Sequence, residues 1–168
     1  MGFVFVVGGA RSGKSDRAQR LAIESTLPVT FIATGTAGDA EMEERIRRHR
    51  SARPHDWSTI EEPIDLQAAI EATSPIHFLI VDCLTLWVSN LLGAGWRPDE
   101  IEAAARSAAA ALAGRTGVVV SNEVGLGIVP ANELGRTFRD VLGAVNAHFS
   151  ACADRSVLMV AGRAIELT

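Results

Sequence analysis

The chain has 168 residues, of which 48% are hydrophobic and 21% charged, values that are typical of one compact globular domain. The formal net charge of −4 argues against a nucleic-acid partner. No apolar run approaches the roughly 20 residues that a membrane-spanning helix requires, and the run at Phe3–Val7 lacks the basic flank of a secretory signal. We therefore expect no membrane span and a cytoplasmic protein.

Short runs of apolar and β-branched residues alternate with segments of helical character along the chain. The predicted strands are Phe3–Val7, Val29–Ala33, Phe78–Val81, Val118–Ser121 and Val157–Ala161. The predicted helices cover residues 14–24, 39–52, 65–73, 84–93, 98–113 and 132–153. Continuous apolar runs of this length favour strands buried on both faces, as in a parallel sheet. The alternation predicts one α/β domain over residues 1–168, with a doubly wound, mostly parallel sheet.

The first predicted strand leads into a glycine-rich segment, GGARSGKS, which matches the phosphate-loop pattern GxxxxGK[ST]. The segment consists of Gly8, Gly9, Ala10, Arg11, Ser12, Gly13, Lys14 and Ser15. Its backbone N–H groups and the start of the following helix can surround phosphate oxygens. In this pattern the lysine contacts the β- and γ-phosphates, and the hydroxyl of Ser15 binds Mg²⁺. The segment predicts a P-loop NTPase.

Polar residues end or follow two further predicted strands. Asp82 ends the strand HFLIVD, where it can hold Mg²⁺ together with Ser15, although an aspartate at this position can also cap the next helix. Asn122 and Glu123 follow the strand VVVS. Because open α/β sheets bind ligands at the carboxyl ends of their strands, these residues are candidates for the same site.

The single lysine and the negative net charge argue against two classes of nucleotide-binding protein. Because Lys14 is the only lysine, the chain cannot contain the N-K-x-D element with which GTPase switches identify guanine. A RecA-type DNA-dependent ATPase would carry basic DNA-contacting loops, whereas the net charge here is negative. A kinase or transferase acting on a small molecule therefore fits best. A single-activity kinase for another metabolite and a non-enzymatic nucleotide switch are the alternatives.

One histidine stands among arginines in the segment EMEERIRRHRSARPHDW, whose first part predicts a helix. Met42, Ile46 and His49 fall on one face of that helix, so His49 can be a half-buried structural residue. Alternatively, the arginines bind phosphate oxygens and lower the pKa of His49, which keeps its imidazole neutral for attack on phosphorus. The other histidines, His55, His77 and His148, favour structural or surface roles.

The two cysteines, Cys83 and Cys152, are far apart in the sequence and lie in apolar segments. Their spacing does not match a zinc site, and a disulfide is not expected in a cytosolic chain. We therefore expect two buried free thiols.

Three segments occur in the order GGARSGKS, EMEERIRRHRSARPHDWSTIEEP and SNEVGLGIVPANELGRTFRDVLGAVN. Together they resemble the bifunctional adenosylcobinamide kinase/adenosylcobinamide-phosphate guanylyltransferases of cobalamin biosynthesis, from residue 3 to about residue 161. The resemblance implies a phosphate loop at Gly8–Ser15, and it implies that His49 becomes guanylylated. It also implies nucleotide contacts after the second strand, by Thr34, Gly35 and Thr36. Guanosine contacts are implied in the arginine-rich segment and just after it, by Arg50, Ser51, Ala52, Arg53 and Glu61. Asp82 is the acidic residue at the Walker-B position.

The resemblance further implies two reactions with Mg²⁺ as cofactor. Adenosylcobinamide is phosphorylated with ATP or GTP, with Lys14 as a catalytic residue. His49 then accepts GMP from GTP and passes it to adenosylcobinamide phosphate, giving adenosylcobinamide-GDP. A trimer is implied as well, whereas the residues at 164–167 receive no role.

Overall fold

The part of the chain that can be described covers residues 2–38, 40–51 and 53–167 of this computed structural model, without the side chains of residues 41, 42, 45, 46 and 49. Of the predicted site residues, Ala52 and the side chain of His49 lie outside the described residues. The prediction that Met42, Ile46 and His49 share a helix face lies outside them as well.

Strands and helices alternate along the described ranges. In chain order they are β1 (Phe3–Gly8), α1 (Lys14–Ser25), β2 (Val29–Ala33), α2 (Ala40–Ser51), β3 (Ser58–Glu61), α3 (Leu66–Glu71), β4 (Phe78–Asp82), α4 (Leu84–Gly93), α5 (Pro98–Leu112), β5 (Gly117–Asn122), α6 (Glu133–Cys152), β6 (Arg155–Val160) and β7 (Arg163–Leu167). None of the described helices is long and apolar enough to cross a lipid bilayer.

The strands form one sheet in the order β3-β2-β4-β5-β1-β6-β7. All neighbouring strands pair in parallel except β6 and β7, which pair antiparallel. Strands β2 to β5 lie on one side of β1, and β6 and β7 lie on the other side. The prediction of a doubly wound, mostly parallel sheet is therefore confirmed. The register places Gly8 beside Asn122 and Ala33 beside Asp82. The carboxyl ends of β1, β2, β4 and β5 therefore meet at one edge.

Both faces of the sheet are covered by apolar packing. On one face, Ala18 and Ala22 of α1 pack with inward side chains such as Phe31 and Ile80. On the other face, α3, α4, α5 and α6 cover side chains that include Phe5 and Leu79. Burial on two sides explains why the central strands are continuous apolar runs instead of alternating ones.

Local capping fixes where the helices begin. The side chain of Asp65 accepts a hydrogen bond from the Ala68 N–H at 3.0 Å, and Asn132 accepts one from the Gly135 N–H at 2.6 Å. Each cap satisfies a backbone donor that the first turn of a helix leaves free. These two residues were the first positions of the predicted helices, so the predicted starts differ from the observed ones by one residue.

Three features differ from the sequence-based expectations. The edge strands β3 and β7 were not predicted because β3 has only one half-buried apolar residue and all five residues of β7 are exposed. β6 ends at Val160, before Ala161, because Ala161 and Gly162 have φ values of 49° and 77° and form a two-residue hairpin turn. Cys152 is exposed, so its predicted burial is wrong. At this end of α6 the residues that pack against the core are Phe149 and Ala153, the residue that follows the helix.

Candidate nucleotide-binding site

A cavity of about 950 Å³ lies at the edge where the central strands end. The predicted site residues that line it are Ala10, Arg11, Ser12, Gly13, Lys14, Ser15, Gly35, Thr36, Arg50, Arg53, Glu61, Asp82 and Asn122. Other predicted residues of the described chain lie beside the cavity lining without belonging to it: Gly8, Gly9, Thr34, Ser51 and Glu123. The fold thus brings five sequence segments together around one space.

The phosphate loop is compact and firmly connected to its surroundings. Gly13 has a φ of 94°, a left-handed conformation that favours glycine, and the helix α1 starts immediately after it. The buried ammonium of Lys14 donates to the Gly9 carbonyl at 2.5 Å, across the loop. From outside, the N–H of Gly162 donates to the Ser12 carbonyl at 3.0 Å. A Cβ at Gly8 would lie 2.4 Å from the carbonyl oxygen of Met159, so the loop begins where only glycine fits.

The next feature is a polar contact between the loop and the end of β4. The hydroxyl of Ser15 donates to the Asp82 carboxylate at 3.1 Å. The N-cap position of α4 is occupied by Cys83, one residue after Asp82. A hydroxyl and a carboxylate side by side are oxygen donors of the kind that Mg²⁺ accepts.

Asn122 and Glu123 occupy different positions beside the phosphate loop. Asn122 lines the cavity, and its N–H donates to the Thr85 hydroxyl at 2.8 Å. The N–H of Glu123 donates to the Gly8 carbonyl at 3.1 Å, whereas the Glu123 carboxylate accepts the N–H of Gly125 within its own loop. Asn122 is therefore the one of this pair that lines the cavity.

Two arginines form a second wall. The guanidinium of Arg53 lies 3.5 Å from the ring centroid of Phe31, and its Nε is buried without a hydrogen-bond partner among the described residues. Burial lowers the pKa of Arg53, and the negative charges of Asp82 and Glu61 partly oppose this shift. Arg50 forms an exposed ion pair with Glu61 at 3.0 Å. This wall presents positive charge to the cavity, and the Phe31 ring lies behind the Arg53 guanidinium.

Sequence reasoning missed a polar network behind the cavity, between β2, β4 and α4. The hydroxyl of Thr34 donates to the Cys83 carbonyl at 2.7 Å and accepts from the Cys83 N–H at 2.8 Å. The amide of Asn90 donates to the Thr34 carbonyl at 2.7 Å. Burial raises the pKa of the Cys83 thiol to about 11, and the charge of Asp82 adds to this effect. A lone amide within the apolar segment LTLWVSNLLG was the only signal for Asn90 in the sequence.

The four histidines lie in different surroundings. His77 shares a 2.8 Å hydrogen bond with Thr30, and His148 lies 3.7 Å from the Glu102 carboxylate, so both have structural partners as predicted. His55 is exposed in the turn that follows α2. The backbone of His49 lies in α2, one residue before the cavity-lining Arg50.

Comparison with known proteins points to one family. The chain is 45% identical to the "Bifunctional adenosylcobalamin biosynthesis protein CobP" of Pseudomonas aeruginosa over 160 residues, which cover 94% of this chain and 92% of that protein. It is 39% identical to the "Bifunctional adenosylcobalamin biosynthesis protein CobU" of Escherichia coli and 38% identical to that of Salmonella typhimurium, with 98% of each chain covered. The family model described as "Cobinamide kinase / cobinamide phosphate guanyltransferase" matches residues 4–167. With nearly its full length matched by that model, this chain belongs to the cobinamide kinase/cobinamide phosphate guanyltransferase family.

Proposed function

We propose that this chain is a bifunctional transferase that phosphorylates adenosylcobinamide with ATP or GTP and then converts the product to adenosylcobinamide-GDP. Membership of the family supports both activities. The observation that carries the proposal is the composition of the cavity, which combines a phosphate loop with an arginine-bearing wall beside His49. In this account the whole chain acts as one domain.

In the kinase reaction, the hydroxyl oxygen of the aminopropanol arm forms a bond to the γ-phosphorus. The bond from that phosphorus to the β,γ-bridging oxygen breaks, so ADP or GDP leaves and the hydroxyl gives up its proton. The charge that develops on the phosphoryl oxygens is stabilised by the Lys14 ammonium and by the N–H groups at the start of α1. Because Lys14 is already buried within the loop, little reorganisation is needed for this role.

The residues at the Ser15–Asp82 contact fit Mg²⁺. Their oxygens are hard ligands, and among the described residues no group of three or more His, Cys, Asp or Glu side chains could form a protein-only metal site. Mg²⁺ usually takes one or two protein ligands and completes its coordination with phosphates and water. The ion would neutralise phosphate charge when bound, and Ser15 and Asp82 would hold it.

In the transferase reaction, an imidazole nitrogen of His49 forms a bond to the α-phosphorus of GTP, and pyrophosphate leaves. A phosphate oxygen of adenosylcobinamide phosphate then attacks the same phosphorus, and the P–N bond breaks to release the histidine. Covalent catalysis divides a difficult substitution between two anions into two easier steps. Arg50 and Arg53 provide positive charge near the nucleotide, and the segment Arg50–Arg53 with Glu61 holds the guanosine.

We also infer that the chain acts in the cytoplasm as a homo-oligomer, with a trimer expected. Apolar side chains are strongly exposed in the segment between β5 and α6, including Leu126 and Ile128, which are 85% and 98% exposed. Ile165 and Leu167 are exposed on the edge strand β7. Exposed apolar clusters of this kind are typical of contact surfaces. Sedimentation equilibrium at micromolar concentration tests this inference, and a mass of 17.8 kDa, that of one chain, would contradict it.

The proposed activities are tested by following the corrinoid by mass spectrometry. With adenosylcobinamide, Mg²⁺ and ATP, the product should be adenosylcobinamide phosphate alone. Addition of GTP should convert it to adenosylcobinamide-GDP and release one pyrophosphate per product. If the phosphorylated corrinoid accumulates and GTP never converts it, the chain is a single-activity kinase. If no corrinoid is modified while nucleotide binds, the proposal fails altogether.

A further inference from the structure

Asn90 in α4 contacts two separate segments of the cavity wall from behind. Its Nδ2 donates to the Thr34 carbonyl at 2.7 Å and to the Pro63 carbonyl at 3.2 Å. Its Oδ1 accepts a hydrogen bond from the Thr36 hydroxyl at 3.3 Å. Both donors of the amide and one acceptor position are therefore in use.

The contacted segments reach the cavity, whereas Asn90 is not one of the residues that line it. Gly35 and Thr36 line it from the loop after β2, and Pro63 lines it from the segment after β3. That second segment is also connected to β2, because the Glu62 N–H donates to the Ala33 carbonyl at 2.9 Å. Asn90 thus joins two wall segments that are distant from each other in the sequence.

The phosphate end of the cavity is fastened by other contacts. The Lys14–Gly9, Gly162–Ser12 and Ser15–Asp82 hydrogen bonds hold the phosphate loop, and Asn90 takes part in none of them. A change at Asn90 should therefore displace the wall after β2 and β3 while the phosphate loop keeps its geometry.

We propose that Asn90 is a positioning residue that sets the nucleoside-binding wall of the cavity. The inference rests on the proposed function, which assigns Glu61 to the guanosine, and on the nucleotide contacts that the family resemblance implies for Thr34–Thr36. Asparagine suits this position because a carboxamide supplies two N–H donors and an acceptor from one short, planar group. A carboxylate of the same shape loses both donors and faces two carbonyl oxygens. A leucine leaves those carbonyls without this partner, which is costly where water does not replace it.

The test is nucleotide binding, measured by calorimetric titration with Mg²⁺ and a GTP analogue that has a methylene group between the α- and β-phosphates, which prevents transfer of the guanylyl group to His49. For Asn90→Asp at pH 8, we expect the Kd to rise about tenfold, in line with the loss of one or two hydrogen bonds that hold the wall. In turnover assays the KM for GTP should rise by a similar factor while kcat changes less than about twofold, because the phosphate loop is unchanged.

The pH dependence separates positioning from general loosening of the fold. When the carboxyl group that Asn90→Asp introduces is protonated, it regains one O–H donor, so the Kd of this variant relative to wild type should fall towards one as the pH is lowered from 8 to about 4. A ratio that stays constant between about pH 4 and pH 8 would overturn the proposal. Asn90→Leu, which introduces no titratable group, should show a raised Kd at both values.

Trp87→Phe is the matched control, since Trp87 lies one turn earlier in α4. Its indole N–H donates to the carbonyl of Ile64 at 2.7 Å, next to Pro63, but neither Trp87 nor Ile64 lines the nucleotide cavity. We expect a lower melting temperature and an unchanged Kd. An increase in Kd as large as that of Asn90→Asp would mean that any loosening of α4 has this effect, and it would overturn the proposal. Because binding is measured without turnover, a chain that lacks guanylyltransferase activity contradicts only the proposed function.

Discussion

The phosphate loop and helix α2 contribute to the same cavity, but they are held in different ways. The loop lies at the centre of the sheet, with Ser12 and Lys14 buried and hydrogen bonds to it from the β6–β7 turn and from its own lysine. In α2, the described side chains form ion pairs at the surface. The Arg47 guanidinium lies 2.7 Å from the Glu44 carboxylate, and these two side chains are 71% and 45% exposed.

The difference matches the two reactions that we assign to the cavity. Transfer of a γ-phosphoryl group depends on fixed donors around developing charge, and a buried, bonded loop supplies them. His49, which we propose as the guanylyl acceptor, lies in a helix whose described ion pairs are exposed. Water screens such pairs, so they contribute little to stability. The described part of the chain therefore combines a buried, hydrogen-bonded phosphate loop with a helix whose described ion pairs are exposed.

The largest effect should come from the centre of the rigid region. Lys14→Ala removes the only lysine of the chain, whose charge we assign to the β- and γ-phosphates. We expect phosphorylation of adenosylcobinamide to fall on the order of 100-fold or more, the loss typical of one electrostatic stabiliser. Steady-state kinetics with ATP measure the change. A rate near that of the wild type would contradict the assignment of the phosphate loop.

A second substitution tests the metal ligands at the end of β4. Asp82→Asn keeps the shape of the side chain but removes its charge, so the Mg²⁺ requirement should rise roughly 10- to 100-fold in both half-reactions. Titration of each activity against Mg²⁺ measures the requirement, with ATP and GTP concentrations kept saturating. An unchanged titration curve would assign Asp82 a purely structural role and make Glu123 the better candidate.

Arg53→Lys tests the wall contributed by the segment after α2. Lysine keeps the positive charge but loses the planar group that stacks on Phe31, so we expect the KM for GTP to rise roughly tenfold. Arg47→Ala serves as the control, because Arg47 is exposed, pairs with Glu44 and does not line the cavity. It should leave the KM for GTP unchanged. Equal effects of the two substitutions would contradict a specific role of the Arg53 guanidinium in the nucleotide-binding wall.

The last prediction concerns the Cys83 thiol, next to Asp82, and the dependence of protein stability on pH. The folded state raises the pKa of Cys83 from 9.0 to about 11. Between these values the unfolded chain loses the thiol proton while the folded chain retains it, so the free energy of unfolding falls as pH rises. The loss cannot exceed about 3 kcal/mol, since one pKa unit corresponds to about 1.4 kcal/mol.

Urea denaturation at pH 8 and pH 10.5 measures this loss. Comparison with Cys83→Ala isolates it, because all other titrating groups are common to the two proteins. The wild type should lose more stability than the variant over this interval. Equal losses would mean that the thiol ionises in the folded protein as readily as in the unfolded one.

The elements that the sequence predicted correctly have signals in their own residues. Apolar runs located β1, β2 and β4, and the polar caps Asp65 and Asn132 located two helix starts to within one residue. The phosphate loop was recognisable because its pattern stands between a strand and a helix. The contact between Ser15 and Asp82 followed from the parallel sheet, which brings the carboxyl ends of distant strands together.

What the sequence could not predict depends on neighbours that are distant along the chain. β7 has no buried residue, so it exists because β6 offers it an edge and a tight turn at Ala161–Gly162. Phe31 became part of the site only because Arg53 lies over its ring. Asn90 looked like one polar residue in an apolar helix, and its three partners are 27 to 56 residues away.

The central claim is that α2 carries the guanylyl acceptor, and intact-mass measurement tests it most directly. After incubation with GTP and Mg²⁺, the wild type should gain the mass of one GMP per chain. The adduct should be labile to acid and stable to base, because protonation turns the nitrogen of a phosphoramidate into a good leaving group. His49→Ala should remain unmodified and His55→Ala should still be modified. A wild-type chain that makes adenosylcobinamide-GDP without ever forming an adduct, or an adduct that persists in His49→Ala, would contradict the claim.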